Sequence, residues 1–438
     1  MIRRGELLIG PAEDRMQLSV ESPFRKILLL GAAITLALAY TAFAATQFAA
    51  SVLGNRRSLN SLQWAARLDP GNAEYRYRVG RFFWLVEKDS DSAVPSYRAA
   101  VALNPHEARY WFDLAAAYDL MGYRGGERDA MEHAVEADPN TPDVAWQAAN
   151  FYVIEGNDAK ALREYRVVMA NDPVMAPTAI PLCWRMLPDV DALLRDVMPP
   201  LANVDSAFLD YLVSKQEMAA ANKVWAQLVA LQQPVQRRDI YYYIRALLAD
   251  KESDQAHLAW QQAANLADLQ AYEPRPDNLI VNGDFGLTIL NGGFDWLYQR
   301  SSEVSLAIDP TQSHVGHRSL LIDFDARWIE DSGIRQVVAV KPNTGYEFSG
   351  YFKSDNIEGA GSPRFAIQDL YDSTMYYASE DLRDVDYWKQ VGGEFVTGPN
   401  TKMVVVRVQR FPAGPIKGKL WIDGLRLVQK SSSLSPQA

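Results

Sequence analysis

The chain has 438 residues, and 48% of them are hydrophobic, so it is long and apolar enough to bury more than one core. Its net charge is −10 and its pI is near 5.2, which argues against the basic footprint that nucleic-acid binding requires. One cysteine, Cys183, rules out an intramolecular disulfide and reads as a small buried apolar residue.

Residues 27–50 (ILLLGAAITLALAYTAFAATQFAA) carry no charge and are long enough to cross a bilayer as a helix. Arg3, Arg4, Arg15, Arg25 and Lys26 precede the run; Arg56, Arg57 and Arg67 follow it. This asymmetry predicts a cytoplasmic segment over residues 1–26, an anchor over 27–50, and an extracytoplasmic remainder. The rival readings are a signal peptide cleaved near Ala42-Phe43-Ala44 and a buried helix of a soluble protein. The length of the run and of its leader favour an uncleaved anchor; its placement in a bacterial inner (cytoplasmic) membrane is an expectation from the architecture of the whole chain.

Asp69-Pro70, Asn104-Pro105, Asp138-Pro139 and Asp172-Pro173 recur at proline spacings of 35, 34 and 34. A period near 34 predicts a helix–turn–helix array, because proline ends one helix and starts the next turn. The units run over residues 74–105, 108–139 and 142–173. Trp111, Leu114 and Tyr118 share a face in the second unit; Ala145, Ala148 and Tyr152 do so in the third. Small residues allow close helix crossings, and large aromatics fill the space between neighbouring pairs. Residues 56–173 therefore resemble tetratricopeptide repeats. That resemblance implies a protein-binding groove lined by Tyr75, Arg78, Phe82, Arg109, Phe112, Asp119, Trp146 and Asn150. The alternative for its aromatics is the repeat core. Residues 174–272 read as degenerate helical repeats, with helical spacing at 219–231, 237–248 and 255–269 after a proline-rich start.

Near residues 272–276 (YEPRP) the helical pattern stops, and residues 277–430 alternate as strands between glycine-rich turns. Tyr346, Phe348 and Phe352 share one face; Glu347, Ser349, Tyr351 and Lys353 share the other. Residues 320–324, 402–411 and 419–428 are further β-rich runs, and an antiparallel β-sandwich is predicted. The fold class is thus multidomain α + β: a transmembrane helix, a helical repeat solenoid and a jelly roll, with a disordered tail over 431–438.

The opening NLIVNGDF (residues 278–285), Tyr387-Trp388-Lys389 with Phe395, and the closing LWIDGLRL (residues 420–427) resemble the galactose-binding-like jelly rolls that include carbohydrate-binding modules. In such modules a sugar's apolar C–H face stacks on an aromatic ring. The resemblance implies carbohydrate platforms among Trp296, Tyr298, Trp328, Tyr371, Tyr376 and Tyr377, with sandwich core as the alternative. It assigns Trp388 and Trp421 to structure. It also raises a structural calcium at Asn282, Asp284 and Asp423, but Gly286 stands where an acidic ligand usually follows the phenylalanine, so no metal or other cofactor is expected.

Catalytic motifs are missing from the sequence. It has no G-x-x-x-x-G-K-[ST] loop, no G-x-S-x-G elbow and no H-E-x-x-H. His314 and His317 lack a third ligand, and Asp381, Asp384 and Asp386 read as a solvated loop rather than a glycosidase pair. The expected function is a non-catalytic, membrane-anchored adaptor in assembly or export of a surface polysaccharide. Its repeats would hold a protein partner such as a polymerase or ligase, and its sandwich would contact glycan. The alternatives are a purely structural protein–protein scaffold of the envelope and a glycan-acting enzyme with an unrecognised site.

Overall fold

The proline period has a direct structural counterpart: each Asp-Pro or Asn-Pro step lies where one helix hands over to the next. The structure, a computed structural model, describes residues 23–299 and 301–430. The predicted tail over 431–438 and most of the predicted cytoplasmic segment lie outside the described residues. The chain divides into two compact units, Met1–Ala148 and Ala149–Ala438.

In the first unit α1 (Pro23–Gly54) is a single 32-residue helix, long and apolar enough to cross a membrane, and exposed from Phe24 through Thr46. It is followed by α2 (Leu59–Leu68), α3 (Ala73–Phe82), a π-helical turn (Phe83–Glu87), α4 (Ser90–Leu103), α5 (Ala108–Leu120) and α6 (Arg124–Ala137). Side chains of Ser58, Asn72 and Asp89 accept backbone N–H bonds at three helix starts. Small residues let the helices cross closely: a methyl group on Gly80 would meet the Tyr97 ring at 2.7 Å. Tyr77, Tyr97 and Tyr110 fill the space between hairpins, with Tyr77 4.6 Å from Tyr110 between ring centres.

Helix α7 (Pro142–Ile154) crosses the division between the units. The second unit continues with α8 (Asp158–Asn171), α9 (Ala176–Met186), α10 (Val190–Asp196), α11 (Ala202–Ser214), α12 (Met218–Leu231), α13 (Arg237–Ala249) and α14 (Ser253–Leu266). The prolines that blur the repeat pattern do not abolish the helices. Pro177 sits in the first turn of α9, where a missing N–H costs little. Cys183 is wholly buried in α9, as a small apolar residue.

The strands are β1 (Leu297–Tyr298), β2 (Val304–Asp309), β3 (Ser319–Ala339), β4 (Gly345–Gly359), β5 (Ser362–Asp369), β6 (Met375–Ala378), β7 (Lys389–Val396) and β8 (Met403–Gln429), all antiparallel. β3 and β8 are far longer than ordinary strands and pair along both halves, with register shifts between Ala326 and Arg335. One half joins β2, β3, β8, β4 and β7; the other joins β1, β3, β8, β5 and β6. The sheet curls so that alternate residues from both halves, including Phe324, Phe348, Phe365, Val406 and Ile422, share one core.

Within this second unit the last helical hairpin is seated on the sandwich. Gly293, at φ +61°, lies against Trp260; Gly292 lies against Tyr241; and the Trp260 and Phe294 rings meet edge to face at 6.0 Å. Ser253 hydrogen-bonds the Tyr371 hydroxyl at 2.8 Å, Lys402 reaches Asp254 at 2.5 Å, and the Tyr272 hydroxyl donates to the Thr288 carbonyl at 2.7 Å.

Candidate functional site

Strand alternation determines which residues the second sheet half turns away from the core. Val404, Val406 and Val408 of β8 point inward, so Val405, Arg407 and Gln409 point outward. Register then places Arg335 of β3 beside Arg407, Asp331 beside Gln409, and Arg364, Ala366 and Gln368 of β5 beside Gln409, Arg407 and Val405. The outward face is consequently a polar field drawn from three strands.

Its side chains are mutually oriented. Arg407 donates to Asp331 at 3.1 Å and to the Gln368 amide oxygen; Gln368 donates to Gln409 at 3.2 Å; Arg364 pairs with Asp381 at 2.7 Å. Burial raises the Asp331 carboxyl above the usual range, while Gly333 N–H and the guanidinium groups of Arg407 and Arg335 oppose that shift. Gln368 and Gln409 are buried and spend their amides on this network, so the half-buried forks of Arg407 and Arg364 are the groups of this face that match vicinal hydroxyls. Trp328 stands at the interrupted register between β3 and β8 and is 68% exposed. A large, open aromatic beside ordered polar groups is what a sugar ring needs.

Residues 277–413 match the family model of a carbohydrate binding domain. Among solved structures the chain is similar to a CBM4 module, at 15% identity over 34% of this chain and 99% of that one, with a TM-score of 0.28. It is also similar to a MamA protein, at 14% identity over 43% of this chain and 93% of that one, with a TM-score of 0.27. A third is the CBM22-1 xylan-binding domain of Paenibacillus barcinonensis Xyn10C, at 14% identity over 32% and 87%, with a TM-score of 0.24. No curated protein matches the chain.

The structure redistributes the six aromatic candidates. Trp296 is a correction: it is 1% exposed, its indole N–H donates to the Asn282 carbonyl at 3.0 Å, and its ring lies 5.4 Å from Phe285. A wholly enclosed ring offers no face to a sugar. Tyr376 and Tyr377 are half-buried, and their rings fasten β6 to the core. Tyr376 stacks on Phe395 and binds Thr401, while Tyr377 lies between Phe348 and Gly393. Tyr298 is half-buried and packs against the core from β1. Tyr371 is half-buried where α14 meets the sandwich, and Trp328 is open. Arg407, Gln368, Gln409 and Asp331 had no signal in the sequence, because only the register gathers them.

At the position considered for calcium, both Asp423 oxygens accept backbone N–H groups, from His314, Val315 and Gly424, at 2.7–2.8 Å. Asn282 and Asp284 likewise accept from Leu287 and Gly286. Among the described residues no group of three or more His, Cys, Asp or Glu side chains gathers as a metal site.

In the first unit the groove candidates on α3 and α5 form an ion-pair network. Glu74 accepts from Arg78 at 2.7 Å, Arg109 at 3.2 Å and Tyr110 at 3.0 Å, and Arg109 lies 4.9 Å over the Tyr77 ring. Burial, helped by Glu74, pushes the Tyr110 hydroxyl up to about 12, and burial raises the Asp113 carboxyl beside Tyr77. Tyr75 and Phe82 are half-buried, with Gly54 against the Tyr75 ring; Asp119 pairs with Arg124 at 3.0 Å. Phe112 is a correction: it is 9% exposed and belongs to the core. Trp146 is half-buried. In the second unit the amide oxygen of Asn150 accepts from the Tyr165 hydroxyl at 3.0 Å.

Proposed function

We propose that this chain is a membrane-anchored, non-catalytic adaptor that holds a glycan on its sandwich and a protein partner on its helical repeats. The observation that carries the reading is the ordered outward row Arg407–Gln368–Gln409 with Asp331, next to exposed Trp328, inside the segment that matches a carbohydrate binding domain. Trp328 supplies stacking, half-buried Arg407 and Asp331 supply hydroxyl recognition above the buried Gln368 and Gln409 that hold them, and Tyr371 lies at the edge of the same face. The setting is assembly or export of a surface polysaccharide at a bacterial cytoplasmic membrane, with the N-terminus inside. The repeats then engage a polymerase or ligase through the Glu74–Arg78–Arg109 surface. The anchor supports that setting because α1 has spanning length and Arg25 and Lys26 lie at its start.

Affinity electrophoresis of the full chain in mild detergent, through gels containing soluble polysaccharides, tests the glycan reading. Few contacts are available, so dissociation constants of roughly micromolar to millimolar are expected. Trp328→Ala should weaken retardation while leaving the melting temperature nearly unchanged; Arg407→Ala should weaken it and also lower the melting temperature, because Asp331 and buried Gln368 lose their donor. Absence of retardation by every glycan would turn the sandwich into a protein-contact module, and turnover of the polysaccharide would make the chain an enzyme.

A further inference from the structure

The outward sheet face does not end at the edge of the sandwich. Leu297 and Val337 continue it past Arg335, and α13 rises alongside. Between α13 and this edge lies a cleft of about 890 Å³, within the size range of small-ligand sites. The helix contributes Arg238, Tyr242 and Arg245 to its wall, and the sandwich contributes Leu297, Arg335 and Tyr371. The cleft is held open by a fixed seat, since Gly292 and Gly293 press on Tyr241 and Trp260, and Ser253 binds Tyr371.

The charge of this cleft is unbalanced. Three guanidinium groups line it against one carboxylate, Asp210. Arg238 also pairs with Asp239 at 3.0 Å, and Arg335 lies within the field of Asp331. Arg245 and Arg335 make no ion pair among the described residues, and Arg245 rests 5.5 Å over the Tyr242 ring. Guanidinium groups bind carboxylates in a forked, bidentate geometry, and a cleft of one sign concentrates ions of the other.

We infer that α13 and the sandwich together form one composite cleft that selects carboxylate-bearing glycans, with Arg245 and Arg335 gripping the acidic groups from opposite walls. The inference rests on the glycan reading above and adds to it. Arg407, held by buried Gln368, recognises hydroxyls of any compatible chain, and the cleft beside it adds preference for uronic acids. The helical array is then part of the sugar site.

The test uses the full chain in mild detergent. Its probes are polygalacturonate, alginate and hyaluronate, compared with carboxyl-reduced polygalacturonate, xylan and laminarin. The expected result is tighter binding of at least one acidic glycan than of the neutral ones, declining with salt. Arg245→Gln and Arg335→Gln should each weaken that binding by up to about fivefold, and together by about tenfold or more, with Arg245→Lys largely restoring it. Binding of neutral glycans should persist in all these variants. Equal binding of acidic and neutral glycans, or acid binding unchanged in Arg245→Gln but lost in Arg407→Ala, overturns the composite cleft and leaves the glycan reading standing. Binding of none of the six removes both.

Discussion

Trp296 and Trp328 are both tryptophans of the same domain, and burial alone separates their roles. Removing the Trp296 ring should empty a core site and cost about 3–5 kcal/mol in chemical denaturation. Trp328→Ala should change stability by no more than about 0.5 kcal/mol. A small effect of Trp296→Ala would contradict its enclosure. Asp205 in α11 presents a different case: it is buried, neither carboxyl oxygen has a partner, and burial raises it to about 7. In the unfolded chain the same carboxyl titrates at about 3.9. The folded chain therefore binds this proton more tightly, and the contribution of Asp205 to stability falls as pH rises from about 4 to about 7. Asp210 and Asp295, raised to about 6 chiefly by burial, act in the same direction. Asp205→Asn should flatten part of the decline in melting temperature across pH 4–8. An unchanged slope would assign the effect elsewhere.

At the scale of elements, helices were legible where sequence period and chain chemistry coincide. The spacing at 237–248 corresponds to α13, and the spacing at 219–231 corresponds to α12, because apolar period and turn residues are local signals. The β-rich runs at 402–411 and 419–428 are parts of one strand, β8, since the glycines and prolines between them interrupt its register without ending it. The polar row was illegible for a related reason. Arg407, Gln368 and Asp331 are far apart in sequence and look like ordinary solvent-facing strand residues until pairing aligns them. The seat of α14 on the sandwich was also hidden, because Gly293 reads as loop punctuation. A methyl group there would lie 2.0 Å from the Trp260 ring, at a backbone conformation that disfavours any side chain. Gly293→Ala should cost about 2–4 kcal/mol and raise hydrogen exchange in α14. Gly71→Ala, which meets nothing within 4 Å, should change neither.

At the scale of the whole molecule, the anchor reading has its own test. An alkaline phosphatase fusion after Arg67 should be active if α1 crosses the membrane with its basic end inside. An inactive fusion, with an active cytoplasmic reporter at the same point, would reverse the orientation. The placement of β8 carries a consequence for the order of assembly. It is the strand through which β3, β4 and β5 are joined; without it β2–β3, β4–β7 and β5–β6 are separate fragments. As the polypeptide emerges from a ribosome or a translocation channel, the sandwich therefore cannot close until residues 403–429 have appeared. Until then it remains an open, threadable chain whose strand edges are unpaired.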